Sequence, residues 1–424
     1  MIGFIGLSHL GLNYSLATAA KGFDVIGYDP DAALVERLKA GLFPIDEPGF
    51  LDLYAKNRGR IRYSANPSDL NGCELVFFAL DVRTNERNES DLAPLTALID
   101  STAPSFAPNS TVVVMSQVKP GYMRQLTERL GVAPHSWFYQ VETLIFGAAV
   151  QRAMEPERFI VGAADPALPL PASLRAWQAS FACPVLPMRY ESAELAKIAI
   201  NFYLVSTVCT TNTLAEVCES IGADWFEIAP ALRLDRRIGP HAYLKPGLGI
   251  AGGNLERDLV TVKALSAEHA TESGIVDAWL HNSAHAKSWA VRLLEREILQ
   301  HTQKPKIALW GLAYKQDTHS IKNSASVELV RALATCSFEA YDPAANLAGQ
   351  DLPNLTLCKD MWAALPGADV LVIMTPWSIF SSADPTRIRE LLKGTLVIDP
   401  YGCLKTRASQ AAGLRHLQIG RPQG

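Results

Sequence analysis

Residues 2–29 read IGFIGLSHLGLNYSLATAAKGFDVIGYD, and this stretch decides the fold of the first part of the chain. IGFIG predicts a short apolar strand. LGLNYSLATAAKG carries apolar residues at helical spacing and ends at Gly22. FDVIGYD then predicts a second strand, which ends at Asp29. A strand, a helix and a strand in this order indicate a parallel βαβ unit.

The loop between the first strand and the helix has the form of a dinucleotide-binding turn with one change. In a G-x-G-x-x-G loop the glycines allow a tight turn and the close approach of a pyrophosphate to the helix N-terminus. Here Ser8 takes the place of the second glycine, and its Cβ crowds the pyrophosphate. Asp29 is placed to bind a ribose 2′-OH, which favours NAD over NADP. A tight turn without a ligand remains the alternative. The predicted cofactor-binding residues here are Gly6, Ser8, His9, Leu10, Gly11 and Asp29.

Alternating strands and helices continue along the chain. Further strands are predicted at 74–80, 110–116, 136–142 and 158–163. Residues 191–224 contain no proline or glycine before Gly222 and predict one long helix, apolar on more than one side. A second helical stretch is predicted over about 258–300, with a break near Gly274. The βα pattern restarts in the last third, at 306–314, 326–334, 337–343, 369–375 and 395–400.

These elements predict an α/β fold in which two Rossmann-like, doubly wound domains are joined by a central helical domain with a long helix. The length of 424 residues is too great for one ordinary core. We expect domains at 1–187, 188–300 and 301–424.

The composition excludes several classes of function. The chain has 48% apolar and 19% charged residues and a formal charge of −4, so it offers no basic footprint for nucleic acid. No apolar run is long enough to predict a membrane partner. The seven cysteines form no CxxC pair, which favours reduced thiols in a cytoplasmic protein. His281 and His285 have metal-pair spacing, but no acid-rich cluster accompanies them, so we expect no metal.

Several further motifs occur in an order that is typical of one family. They are GLSHLG at 6–11, FPIDEPGFLDL at 43–53, YQVETLIFGAA at 139–149, SAELAKIAINFY at 192–203, DRRIGPHAYLKPGLGIAGGNLERD at 235–258, GLAYKQDTHSIKNS at 311–324 and AYDP at 340–343. On these motifs the chain resembles the UDP-glucose/GDP-mannose dehydrogenases over nearly its whole length. The resemblance implies an NAD-binding domain, a helical domain that forms a homodimer, and a nucleotide-sugar-binding domain. It also implies oxidation of a sugar C6 alcohol to a carboxylate in two hydride transfers.

The resemblance assigns four residues to catalysis. It implies that Lys197 and Asn201 lie beside the reacting sugar, one helical turn apart on one face. Asp258 is implied to orient water or Lys197, and Glu142 to assist the later hydrolytic step. Two alternatives stay open: Lys197 could extend to solvent, and Glu142 could be a structural acceptor at a strand end.

The resemblance also assigns binding residues. Arg237 is implied to reach the diphosphate bound by a neighbouring subunit. The alternative for Arg237 and Lys315 is that they are solvated surface charges. The implied cofactor-side residues are Ser116, Glu142 and Lys322. The implied substrate-binding residues are Leu144, Lys197, Asn201, Arg237, Tyr243, Gly249, Gly252 and Lys315.

The glycine-rich stretch departs from the family pattern at its reactive position. The pattern G-S-C-F-P-K-D aligns with residues 252–258, so Asn254 stands where the family has its nucleophilic cysteine. A thiolate adds to the aldehyde, and only that adduct can give up a second hydride. A carboxamide is no such nucleophile, but Asn254 could hydrogen-bond the carbonyl oxygen. Ile145, Phe146 and Lys322 are further departures that indicate a changed substrate or outcome.

Three hypotheses follow from this departure. In the first, the protein is an NAD-dependent oxidoreductase that stops, or is redirected, after the first hydride transfer. In the second, it still reaches the acid by a route without a thiol. In the third, it is a pseudoenzyme that binds NAD and a nucleotide sugar without turnover.

Overall fold

The computed structural model describes residues 1–133 and 135–422, which form two compact units, Met1–Ile200 and Asn201–Gly424. The strands are β1 Ile2–Ile5, β2 Val25–Tyr28, β3 Ile61–Ser64, β4 Leu75–Phe78, β5 Thr111–Val114, β6 Trp137–Gln140, β7 Phe159–Ala163, β8 Val185–Arg189, β9 Lys306–Trp310, β10 Ser337–Tyr341, β11 Leu355–Leu357, β12 Val370–Ile373, β13 Leu396–Ile398 and β14 Arg415–Leu417.

The helices alternate with these strands and fill the centre of the chain. They are α1 His9–Ala20, α2 Ala32–Lys39, α3 Phe50–Asn57, α4 Ala93–Thr102, α5 Tyr122–Leu130, α6 Ala149–Met154, α7 Ala172–Ala179, α8 Tyr190–Ile221, α9 Trp225–Leu234, α10 Asn254–Glu268, α11 Gly274–Lys287, α12 Trp289–Leu294, α13 Ala325–Ala332, α14 Ser378–Ser381, α15 Pro385–Leu391 and α16 Thr406–Ala411.

The first unit is built on one sheet with the strand order β3-β2-β1-β4-β5-β6-β7-β8. The strands pair in parallel except for β6 and β7, which are antiparallel. Its first six strands have the order 3-2-1-4-5-6 of a doubly wound dinucleotide-binding fold, so a crevice opens where the chain reverses between β1 and β4. One strand pair, β6 and β7, therefore departs from the parallel arrangement that alternating strands and helices favour.

Alternate residues of the central strands pack into two separate cores, one on each face of this sheet. Phe77 on β4 stacks on Phe4 and contacts Trp177 on one face, whereas Val76 and Phe78 belong to the core on the other face. Because both faces are covered, β4 is apolar at every position, as is typical of a buried parallel strand. The missed strands β3 and β8 are edge strands with exposed residues, so they lack that signal.

The second unit contains a wholly parallel sheet with the order β11-β10-β9-β12-β13-β14. This is again the 3-2-1-4-5-6 order, so the prediction of a second doubly wound domain is confirmed. The short strands β11 and β14 were not predicted. Each has only three residues and lies at a sheet edge.

The predicted long helix is confirmed as α8, Tyr190–Ile221, although it ends directly before Gly222 rather than at 224. The break near Gly274 is also confirmed, because α10 ends at Glu268 and α11 begins at Gly274. By length and composition alone α8 could cross a membrane, a test that core helices of soluble proteins also pass. About a third of its most apolar window is buried inside the protein.

Glu194, near the start of α8, holds the beginning of α5. Its carboxylate is fully buried and accepts hydrogen bonds from the backbone N–H groups of Gly121, at 2.6 Å, and Met123, at 2.8 Å. We predict that Glu194→Ala lowers the free energy of unfolding by about 2–4 kcal/mol, since two buried donors lose their acceptor. Urea denaturation measures this.

A matched control lies on the same helix. Glu191 forms an ion pair with Arg124 in which both side chains are about two-fifths exposed. Glu191→Ala is therefore expected to cost less than about 1 kcal/mol. Equal losses in the two variants would contradict the role assigned to Glu194.

Candidate functional site

The loop from β1 into α1 has the close packing of a dinucleotide-binding turn. Gly6 has φ +89°. A Cβ on Gly11 would lie 1.9 Å from the carbonyl oxygen of Gly6, so only glycine fits there. Asp29, at the end of β2, accepts a hydrogen bond from the N–H of Leu7 at 2.9 Å. The acid predicted to bind a ribose is thereby fixed against the loop at residues 6–11.

An unpredicted acid also reaches this loop. Asp81 follows β4, and its carboxylate accepts a hydrogen bond from the backbone N–H of Leu10, in the first turn of α1, at 3.1 Å. The N–H of Asp81 donates to the hydroxyl of Ser8 at 2.9 Å, and that hydroxyl donates to the carbonyl of Ala79 at 3.3 Å. Ser8 therefore links the loop to the end of β4. Asp81 is an exposed residue. Desolvation of its carboxyl group by the surrounding protein nevertheless raises the pKa of Asp81 above the ordinary value.

His9 connects the loop to a second segment that the resemblance singled out. Its Nε2 lies 2.7 Å from the buried carboxylate of Glu47, and its ring packs on Phe146 with 4.3 Å between ring centroids. Glu47 also accepts from the N–H groups of Gly147 and Ala149, each at 3.1 Å. The change to Phe146 thus supplies a ring that covers His9.

Lys197 and Glu142 form a nearly buried pair. The Lys197 ammonium donates to the backbone carbonyl of Glu142 at 2.8 Å and to its carboxylate at 3.1 Å. The side chains are only 12% and 16% exposed, so the ammonium points inward rather than to solvent. The other carboxylate oxygen accepts from the N–H of Leu144 at 2.9 Å. Ser116 is buried and accepts from the N–H of Leu80 at 3.0 Å, at the end of β4.

These features of the first unit fit NAD. The glycine turn, the N-terminus of α1 and Asp29 would hold the pyrophosphate and the adenosine ribose. One contact competes with that fit, because the Leu10 N–H that would meet a phosphate already binds Asp81.

In the second unit, Asn201 and Asp258 are brought together. Both are buried, and the Asn201 amide donates to one oxygen of Asp258. Arg257 donates to the other oxygen at 3.3 Å and is itself buried. Because the Asp258 carboxylate accepts these two hydrogen bonds, the Asn201 side chain is oriented with its NH₂ group toward Asp258.

The glycine-rich loop is shaped by its own protein. Gly252 has φ +91°, and a Cβ there would lie 2.5 Å from the ring of Tyr314. Lys315 places its ammonium 5.8 Å from the centre of the same ring, and Gly249 packs on Ser283. A cavity of about 210 Å³ lies under the loop, lined by residues that include Leu248, Gly249, Ile250, Ala251, Tyr314 and Tyr401.

Asn254 is the first residue of α10 and is exposed. The helix begins after Gly253, whose N–H donates to the buried carboxylate of Glu256 at 3.1 Å. Glu256 also accepts from the amide of Asn323 at 3.1 Å. Asn323 therefore supports the loop that carries Asn254.

Three assigned residues contact other parts of the chain. Arg237 is 89% exposed and pairs with its neighbour Asp235 at 2.7 Å. Tyr243 is about half exposed, and its carbonyl accepts from the Thr211 hydroxyl at 3.0 Å. The backbone carbonyl of Lys322 accepts from the N–H of Gly252 at 3.0 Å, which joins Lys322 to the glycine loop.

None of the seven cysteines offers an activated thiolate. Burial raises the pKa of Cys73 and of Cys209 to about 11, and burial also raises the pKa of the remaining thiols. A reactive cysteine needs the opposite shift. The structure therefore shows no activated thiol among the native cysteines.

Comparisons with known proteins cover most of the chain. Three models of the UDP-glucose/GDP-mannose dehydrogenase family match it: the NAD binding domain at 1–174, the central domain at 191–283 and the UDP binding domain at 308–406. A UDP-glucose 6-dehydrogenase of Pseudomonas aeruginosa is 28% identical, over 99% of this chain and 97% of the relative. The Bacillus subtilis UDP-glucose 6-dehydrogenase TuaD is 26% identical, over 99% and 93%.

Solved structures agree with this result. The UDP-glucose dehydrogenase of Pyrobaculum islandicum aligns with a TM-score of 0.85 and 25% identity, over 99% of this chain and 97% of that one. A UDP-D-ManNAc dehydrogenase of Pyrococcus horikoshii has a TM-score of 0.84 over both whole chains, and at 21% identity it shows the fold alone. Since consecutive domain models of one family account for most of the sequence, the chain belongs to the UDP-glucose/GDP-mannose dehydrogenase family of NAD-dependent nucleotide-sugar dehydrogenases.

Proposed function

We propose that this protein oxidises the C6 alcohol of a nucleotide sugar once and releases or redirects the product at the aldehyde level. The observation that carries the proposal is Asn254 at the start of α10, in the place of the nucleophilic cysteine, while burial raises the pKa of every native thiol. The first oxidation needs no nucleophile. The second requires an adduct that a carboxamide does not form.

The pair of Lys197 and Glu142 is suited to moving the proton of the alcohol. The ammonium can donate a hydrogen bond to the C6 oxygen and stabilise negative charge there. The Glu142 carboxylate, 3.1 Å from the ammonium, can first take a proton from it, so that the neutral Lys197 amine accepts the proton of the C6 alcohol. Bound NAD would supply the hydride acceptor.

Asn201 and Asp258 are proposed to position the sugar. Because Asp258 binds the Asn201 amide, the Asn201 oxygen is left to accept from a sugar hydroxyl. Asn254 would donate its carboxamide N–H to the product carbonyl, a polarising role that an exposed residue at a helix start can perform. The proposed contacts for the rest of the nucleotide sugar are Arg237, Tyr243, Lys315 and the glycine-rich loop at 249–253.

A substrate panel tests this function. The purified protein is incubated with NAD and with UDP-, GDP- and CDP-sugars, NADH is followed by absorbance, and the product is identified by mass spectrometry. We expect an aldehyde or its hydrate. A uronate product would support the thiol-free route to the acid. Tight binding of NAD and a nucleotide sugar without formation of NADH would support the pseudoenzyme hypothesis.

Restoring the cysteine gives a sharper prediction. Asn254→Cys places a thiol at an exposed helix N-terminus, where the helix dipole lowers a thiol pKa. We expect this thiol to react with iodoacetamide about tenfold faster or more than any native cysteine. We also expect some uronate among the products, since the missing nucleophile is present again.

Asn254→Ser is the control, because it adds a small polar group without a thiol. Fast alkylation at position 254 with no uronate from a substrate that the wild type oxidises would contradict the assignment of this position.

The assembly is also proposed from the resemblance. We infer a cytoplasmic homodimer with domains at 1–187, 188–300 and 301–424. Tyr203 on α8 is 79% exposed and Ile221 is 70% exposed, so apolar surface is available to a second copy. Light scattering tests this, and a monomer would contradict it.

A further inference from the structure

The N-terminus of α1 already carries a negative charge supplied by the protein. The Leu10 N–H lies in the first turn of α1 and donates to the Asp81 carboxylate at 3.1 Å. Such first-turn N–H groups are the ones that receive a pyrophosphate in a dinucleotide-binding fold. A carboxylate oxygen here occupies the same kind of site as a phosphate oxygen.

Ser8 and the end of β4 keep Asp81 in this position. The Asp81 N–H donates to the Ser8 hydroxyl at 2.9 Å, and that hydroxyl donates to the carbonyl of Ala79. A glycine at position 8 could not make these bonds. The residue that departs from G-x-G-x-x-G is therefore the residue that holds the acid over the helix.

The charged groups near Asp81 are engaged with one another. His9 lies beside Asp81 on α1 and is bound to Glu47 at 2.7 Å. Burial raises the pKa of Asp81, His9 lowers it and Glu142 raises it, while Lys197 is engaged with Glu142 at 3.1 Å. A pyrophosphate that entered here would meet a carboxylate at short range.

We propose that Asp81 is a built-in competitor for the phosphates of NAD, so that the affinity for the cofactor depends on displacing its carboxylate from the N–H of Leu10. This rests on the NAD-dependent function proposed above. Asp81 is then a residue that lowers the affinity of the protein for NAD. Two charges at contact distance repel strongly even when they are partly screened, so removing the Asp81 charge should increase affinity markedly.

Calorimetric titration of the full-length protein with NADH, ADP-ribose and adenosine tests the proposal. Asp81→Asn removes the charge and keeps the shape, and Asp81→Ala also frees the Leu10 N–H. Each is expected to bind NADH and ADP-ribose about tenfold more tightly or better than the wild type. Adenosine carries no phosphate, so its affinity should change less than about twofold.

Asp100→Asn is the matched control, because Asp100 is a half-exposed carboxylate of the same unit, paired with Arg129 at 2.9 Å. It should leave all three affinities unchanged. The proposal would be overturned if both Asp81 variants bound NADH as tightly as the wild type or more weakly. It would also be overturned if neither the wild type nor the variants bound NADH. If the Asp81 variants gain affinity but the wild type oxidises no sugar, the proposed function fails and the role of Asp81 stands.

Discussion

Replacing Lys197 with methionine is expected to lower kcat by about 100-fold or more, because a positioned proton-transfer group contributes about that much to rate. Methionine keeps the length and apolar stem of lysine but removes the ammonium that binds Glu142 at 3.1 Å. The measurement is steady-state NADH formation with the sugar that the wild type oxidises.

Two comparisons separate chemistry from folding in this experiment. Lys263 pairs with Asp277 at 2.6 Å, and both side chains are half exposed, so Lys263→Met should leave kcat unchanged. Lys197→Met also leaves the Glu142 carboxylate without its cation, which costs stability. A melting curve shows whether the variant is folded at the assay temperature. A folded Lys197→Met protein with kcat within about threefold of wild type would exclude Lys197 from proton transfer.

Gly252→Ala is expected to lower the free energy of unfolding by about 2–4 kcal/mol. The residue has φ +91°, and its new Cβ would lie 2.5 Å from the Tyr314 ring, so backbone strain and overpacking both contribute. Urea denaturation measures the loss.

Gly239 separates the two contributions to that loss. It has φ +84°, and a Cβ there would meet no atom of the described residues beyond its chain neighbours within 4 Å, so Gly239→Ala reports the cost of the backbone conformation alone, about 1–2 kcal/mol. If the ring causes the remainder, Gly252→Ala should cost less in a Tyr314→Ala background than in the wild type. Equal losses at Gly252 and Gly239 would contradict the contact with Tyr314.

The sequence predicted the architecture well where strands are buried on both faces. β1, β4, β5, β9 and β12 are short apolar runs between turns, and that pattern follows directly from double burial. The sequence pattern did not predict the edge strands β3, β8, β11 and β14. In these strands apolar residues alternate with polar ones or are partly replaced by them. Their pairing depends on a neighbouring strand rather than on their own composition.

Residues of the candidate site were predictable when one motif holds them. The spacing of Lys197 and Asn201 on one helix and the position of Asp29 after β2 are local features. The bonds from Asp81 to Leu10 and from Glu47 to His9 join residues 71 and 38 positions apart. An acid directly after the strand predicted at 74–80 was the signal for Asp81, since β4 and β1 end side by side. The role of Tyr314 against Gly252 had no sequence signal.

We propose that this chain oxidises an alcohol but does not trap the aldehyde. The stoichiometry of the reaction tests this: NADH formed is counted per nucleotide sugar consumed, at completion with NAD in excess, for a sugar identified in the panel. We expect one NADH per sugar for the wild type, and a value between one and two for Asn254→Cys. Two NADH per sugar from the wild type would show that the second oxidation proceeds without the thiol and would contradict the proposal.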